Sequence, residues 1–119
     1  MKAILLISHG SQSPKTKQEV KALVKILKKQ SKILIFKYAF LEIESPSIPV
    51  GIDQCVNEGA THVVVLLNFL NSGKHVDIDI PTIIRQASKK YPQVLITITK
   101  PVGQHPRIVD LFLDMLNEK

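Results

Sequence analysis

The chain has 119 residues, 45% of them hydrophobic and 22% charged, which predicts one globular domain spanning 1–119 with a core that needs neither disulfides nor structural metal. A single cysteine, Cys55, excludes an intrachain disulfide and a clustered-cysteine zinc site, and no apolar run approaches the length of a membrane span. The net charge of +6 favours acidic partners, but there is no tryptophan, and basic residues are not interleaved with aromatics, so nucleic acid is not an expected partner.

The first element is an apolar run, Lys2 to Ile7, which reads as a buried strand. Only Lys2 precedes the apolar residues and Ser8 ends them, so no signal peptide is expected and a soluble, cytoplasmic protein is. Ser13-Pro14 is a helix start, a cap residue with proline at the first helical position. Val20, Leu23, Val24 and Leu27 then recur at helical spacing and predict one core face, with the lysines between Lys15 and Lys32 on the solvated side.

Ile33 to Phe40 is the second predicted strand, and Ser45-Pro46 repeats the cap signal. Ile48, Ile52, Cys55 and Val56 form the next apolar stripe, ended by Gly59. Cys55 on that stripe reads as a buried core thiol. His62 to Leu67 is the third strand, followed by a long polar segment, Asn68 to Asp79. Pro81 sits near the start of a third helix with Ile83, Ile84 and Ala87 inward, stopping before Pro92. Val94 to Ile98 is the fourth strand. A last helix follows His105-Pro106, its core side predicted to carry Ile108, Val109, Phe112 and Leu116.

Strands of continuous apolar character alternating with helices predict a three-layer α/β domain, about four parallel strands with helices on both faces. Ligands of such sheets bind beyond the carboxyl ends of the strands. That edge receives Ser8-His9-Gly10-Ser11 from strand one, Leu41-Glu42-Ile43-Glu44 from strand two, Asn68 to Asp79 with Gly73-Lys74-His75 from strand three, and Pro101 to His105 from strand four. Three of the four histidines therefore gather at one edge, and His62 opens strand three at the other.

His9 and His75 each sit beside a glycine in a post-strand loop, where a rigid scaffold positions polar groups. Two such imidazoles, with or without a carboxylate, suit a divalent metal such as cobalt, nickel, iron or zinc. A general-base role for either histidine is the competing use. Glu42 is either a third ligand, an outer partner or base, or a solvated loop carboxylate. His105 is either a helix cap or a ligand-facing residue.

His9-Gly10-Ser11, Phe40-Leu41-Glu42 with Pro46-Ser47-Ile48, Gly73-Lys74-His75 with Asp79-Ile80-Pro81, and Pro101-Val102-Gly103-Gln104-His105-Pro106 occur in order across nearly the whole chain. Together they resemble the small sirohydrochlorin chelatases of the short CbiX type. The resemblance implies insertion of a divalent metal into sirohydrochlorin for cobalamin or sirohaem synthesis, with the metal as substrate and no organic cofactor. Cobalt is favoured, with nickel or iron as alternatives. The resemblance also implies a homodimer, because short members look like half of the longer two-repeat chelatases. By position, His9 and His75 are the metal pair; Glu42, added from the chemistry at the same edge, completes the expected catalytic set. Gly10, Ser11, Gly73 and Lys74 fall to the substrate, with Lys100 and Arg107 as further cations for its carboxylates.

The chain departs from the family pattern at Gln12 and Lys74, where arginine is common, and along Leu67 to Ser72. Two other readings carry different chemistry. Histidine phosphatases also place His-Gly after a first strand, but they need arginine before that histidine, and here it is Ser8. A non-catalytic metal or tetrapyrrole binder would use the same histidines without turnover.

Overall fold

A computed structural model describes residues 1–117. Four strands form one parallel sheet: β1 (Lys2–Ser8), β2 (Ile35–Phe40), β3 (His62–Leu67) and β4 (Leu95–Pro101), in the spatial order β2-β1-β3-β4. Four α-helices follow them in turn: α1 (Pro14–Ser31), α2 (Ile48–Asn57), α3 (Ile80–Lys90) and α4 (Ile108–Leu116). The predicted three-layer parallel α/β architecture is the one observed.

The central strand β1 is buried on both faces from Ala3 to Ser8, which is why it reads as an unbroken apolar run. Alternate residues supply two cores. Ala3, Leu5, Ile7, Val63, Val65 and Leu67 face α2 and α3, meeting Ile48, Ile52, Cys55, Ile80 and Ile84. Ile4, Leu6, Phe36 and Phe40 face α1, meeting Val20 and Val24. Fully buried side chains of this size each contribute about 1.5–3 kcal/mol by leaving water.

Several boundaries differ from the sequence expectation. β2 begins at Ile35, two residues late, and β4 runs on through Thr99, Lys100 and Pro101. The cap of α2 is Ser47, whose hydroxyl accepts from the Val50 N–H at 3.5 Å, and not Ser45, which precedes a cis proline. Proline is tolerated in the first turn of that helix as Pro49, where its missing N–H costs nothing. Gly59, at φ 105°, follows α2 in the left-handed conformation that ends helices.

The polar segment after β3 is only partly a loop. Its second half, His75–Asp79, is a π-helical turn closed by the Ile80 N–H on the His75 carbonyl, running directly into α3. Such turns concentrate at functional sites. The largest departure is α4. Val109, Phe112 and Leu116, expected on a core face, are 57%, 59% and 78% exposed. The helix leads away from the sheet instead of packing back on it.

Candidate metal centre

The chain visits β2 on one side of β1 and then crosses to β3 on the other, so the sheet changes direction between β1 and β3. The carboxyl ends of those strands form the crevice in which parallel α/β folds place their ligands. Asn68, just past β3, bridges that crevice: its backbone N–H donates to the Ile7 carbonyl at 2.9 Å and its side-chain amide to the Ser8 hydroxyl at 2.9 Å. The pairing fixes the start of the β1 loop immediately before His9.

The β2 loop is locked to the β1 loop in the same way. The Leu41 N–H donates to the Ser8 carbonyl at 2.9 Å and the Glu42 N–H to the His9 carbonyl at 3.1 Å, so strand-like pairing continues beyond the strands. Glu42 is thereby held opposite His9. Directly after it, Ile43 has φ 72°, and the Glu44 N–H reaches back to the Glu42 carbonyl at 2.8 Å. A β-branched residue at positive φ in a three-residue turn is strained, and strain of this kind gathers at binding and catalytic sites.

Three side chains from three loops converge here. Nε2 of His9 lies 3.1 Å from Oε1 of Glu42, and Nε2 of His75 lies 3.8 Å from the same oxygen. The two imidazole rings have centroids 5.0 Å apart. One potential ligand atom from each of the three residues falls within 4.8 Å of the others. Metal–nitrogen and metal–oxygen bonds of about 2.0–2.2 Å around one ion set ligand atoms about 3–3.5 Å apart, so the cluster is close to the spacing a single divalent ion requires.

The opposite edge of each imidazole is already engaged. Nδ1 of His75 is 2.9 Å from Oδ2 of Asp79, one turn further along the π-helical segment. Nδ1 of His9 is 3.1 Å from the Gly10 carbonyl. A carbonyl and a carboxylate both accept, so these hydrogen bonds assign a ring proton to Nδ1 of each histidine; the 3.1 Å contact of His9 Nε2 with Glu42 calls for a second proton there, a position that a bound cation would take over. This is the arrangement in which an outer carboxylate or carbonyl orients a metal-binding histidine. His9, Glu42 and His75 also keep 45%, 49% and 44% of their side chains exposed, so an incoming ion meets an open site.

The remaining expected residues divide. Gly10 has φ 104° and lets the β1 loop pass against the Glu42 backbone. The Ser11 N–H is occupied by the protein's own carboxylate, donating to Glu44 at 2.8 Å, and its hydroxyl accepts from the Ser13 N–H. The Gly73 carbonyl accepts from the Asp77 N–H at 2.8 Å and so anchors the turn that carries His75. Lys74 is exposed beside His75. His105 Nδ1 accepts from the Arg107 N–H at 3.1 Å in the turn before α4, and His105 lies outside the three-residue cluster. His62 pairs with Thr97 at 3.0 Å and opens β3 at the far edge.

Sequence reasoning missed Asp79 as the partner of His75. The signal was present as a histidine and an aspartate four residues apart, a spacing that faces side chains together on a helix, but the segment was expected to be loop. It also missed Asn68. A recess of about 410 Å³ opens on the α1 side of His9, lined by Ser8, Gly10, Thr16, Glu19, Leu23 and Asn68.

Fold and site together define a parallel α/β unit with an open histidine–carboxylate cluster at its switch point. The chain belongs to the CbiX family, whose model matches residues 3–119. It is 33% identical over 118 residues to a sirohydrochlorin ferrochelatase of Priestia megaterium, covering 99% of this chain and 44% of that one. It is 28% identical over 142 residues to a sirohydrochlorin cobaltochelatase of Methanococcus maripaludis, covering 98% of this chain and 99% of that one. Among solved structures it matches the sirohydrochlorin chelatase SirB of Bacillus subtilis subspecies spizizenii in complex with cobalt, with a TM-score of 0.88 and 33% identity over 97% of this chain and 49% of that one. The chain thus spans about half the length of the first listed curated relatives it matches, and nearly the whole of the archaeal one. Among the described residues no helix is long and apolar enough to cross a membrane.

Proposed function

We propose that this chain is a sirohydrochlorin chelatase that inserts a divalent metal, with cobalt first and nickel or iron next, as a cytoplasmic homodimer serving cobalamin or sirohaem synthesis. The observation that carries the reading is the convergence of His9, Glu42 and His75, with both histidine Nε2 atoms turned toward one carboxylate. Similarity to ferrochelatases and cobaltochelatases alike supports the reaction class and leaves the metal as the point to be tested.

Insertion requires the ion to shed water, to be presented to one face of the macrocycle, and to displace two pyrrole protons. A closed four-ligand cage would hold the metal too well; three open-sided ligands leave positions for water and then for pyrrole nitrogens. As those nitrogens bind, the histidines release the ion. Glu42 lies within reach of both imidazoles and takes one pyrrole proton, and an imidazole freed of the ion takes the other. The carboxylates of the substrate meet Lys74 beside His75 and the overall positive charge of the chain.

The test is purified protein with sirohydrochlorin and Co²⁺, Ni²⁺ or Fe²⁺ in turn, followed by the absorption spectrum of the macrocycle. Both His9→Ala and His75→Ala are expected to lose insertion. Full activity in both variants would overturn the assigned site, and tight binding without spectral conversion would replace the enzyme with a carrier.

A further inference from the structure

Helix α4 is apolar at every position except Asp110 and Asp114. A helix of that composition belongs inside a core. Here it packs chiefly against the short turn before it, Val102–Gln104, and Val109, Leu111, Phe112, Leu113, Met115 and Leu116 each keep half or more of their surface in solvent.

The same chain carries a vacancy of matching character. Two helices, α2 and α3, cover one face of the sheet, but α1 covers only the β2–β1 side of the other. Over β3 and β4 that face is an apolar groove of about 560 Å³, walled by Leu6, Leu23, Leu27, Leu66, Val102 and Pro106. An apolar helix without a seat and an apolar seat without a helix are thus present in one chain.

We infer that α4 docks in this groove on a second copy of the chain, and that the second copy's α4 docks here in return. Such reciprocal exchange closes with twofold symmetry. Charge favours this occupant. The only charged residues of α4 are acidic, and the charged residue in the groove lining is Lys100. A carboxylate-bearing macrocycle would find one lysine, with Asn68, Thr99, Gln104 and His105, in a trough walled mostly by apolar side chains. In relatives of twice the length, a further stretch of similar size accompanies the matched unit, which is what a fused second copy would need.

The exchange rests on the homodimer proposed above and states how it is built. It also bears on the site. The groove and the recess beside His9 share Leu23 and Asn68, so a helix seated in the first becomes a wall of the second. Each metal cluster is then enclosed in part by the other copy.

The experiment combines light scattering with nuclear Overhauser measurements on a mixture of isotope-labelled and unlabelled chains. The wild type is expected at twice the 13.3 kDa chain mass. Contacts between the Phe112 ring and the methyl groups of Leu23, Leu27 and Leu66 are expected to be intermolecular. The double variant Phe112→Asp with Leu116→Asp, both exposed positions, is expected to run as a monomer with an unchanged far-ultraviolet circular dichroism spectrum. A dimer that persists undiminished in the double variant would overturn the exchange and leave the dimer standing. Purely intramolecular contacts would mean that α4 folds back on its own groove, and would also overturn the exchange. A wild type that is monomeric at every concentration would remove dimer and exchange together.

Discussion

A β-carbon built on Gly10 would stand 1.9 Å from the carbonyl oxygen of Glu42. The glycine is what allows the loop bearing His9 to lie across the loop bearing Glu42, and its φ of 104° is one that side chains resist. Gly10→Ala is therefore expected to push the two loops apart. The collision and the positive φ together cost on the order of 3 kcal/mol. Chemical denaturation measures that loss. Calorimetric titration with Co²⁺ on the folded fraction is expected to show weaker binding as well, because Glu42 no longer faces His9. An alanine variant with both properties intact would show that the close approach has no role.

Asp79 holds the imidazole of His75 from behind, and replacing it separates orientation from charge. Asp79→Asn keeps an oxygen within reach of Nδ1 and loses the negative charge; Asp79→Ala loses both. Outer partners of this type are worth about 10–100-fold in metal affinity. Co²⁺ binding is expected to weaken by about tenfold in the asparagine variant and toward the upper end of that range in the alanine variant. Asp79 is partly exposed, so thermal unfolding is expected to change little. Equal affinity in all three proteins would remove Asp79 from the site.

Most of the architecture was legible because it rests on patterns that a single chain satisfies internally. The unbroken apolar runs at Ala3–Ile7 and Val63–Leu67 read as strands buried on both faces; β1 is, whereas β3 buries Val63, Val65 and Leu67 on one face and leaves Val64 and Leu66 half-buried on the other. Once those strands are parallel, topology alone sends His9, Glu42 and His75 to one edge, although up to 66 positions separate them in sequence. The failures have physical causes of other kinds. Ser45 and Ser47 both precede a proline by one or two positions, and only the backbone decides which begins the helix. The π-helical turn has polar and apolar residues interleaved without a helical stripe, so periodicity gave no sign of it. Val109, Phe112 and Leu116 of α4 were expected on a core face and are exposed, because periodicity identifies an apolar stripe and not whether the chain packs it.

Cys55 is expected to be chemically silent in the folded protein. It is fully buried between α2 and the sheet, and burial pushes its thiol up to about 11. The thiolate is the reactive form, so at neutral pH it is both scarce and inaccessible. An aromatic disulfide reagent is expected to label no thiol under native conditions and one per chain in denaturant, at a rate that reports global unfolding. Rapid native labelling would mean that the α2 side of the core opens locally.

At the edge of the fold away from the cluster, Asp53 of α2 accepts from the Tyr91 hydroxyl and from Lys90, just past and at the end of α3. The Tyr91 hydrogen bond, more than the lysine, holds the Asp53 carboxyl below its ordinary value of 3.8. A carboxylate depressed in the folded state contributes stability that is present above its unfolded value and disappears as pH falls through the folded one. The pairing of α2 with α3 is therefore expected to weaken only below about pH 4. Tyr91→Phe removes the main cause, so the folded and unfolded values draw together and the acid-dependent part of the stability shrinks. Urea unfolding followed at pH 7 and at pH 3 measures this: the gap in stability between the two is expected to be smaller in the phenylalanine variant than in the wild type. An identical gap would show that the hydroxyl does not hold Asp53 in its charged form.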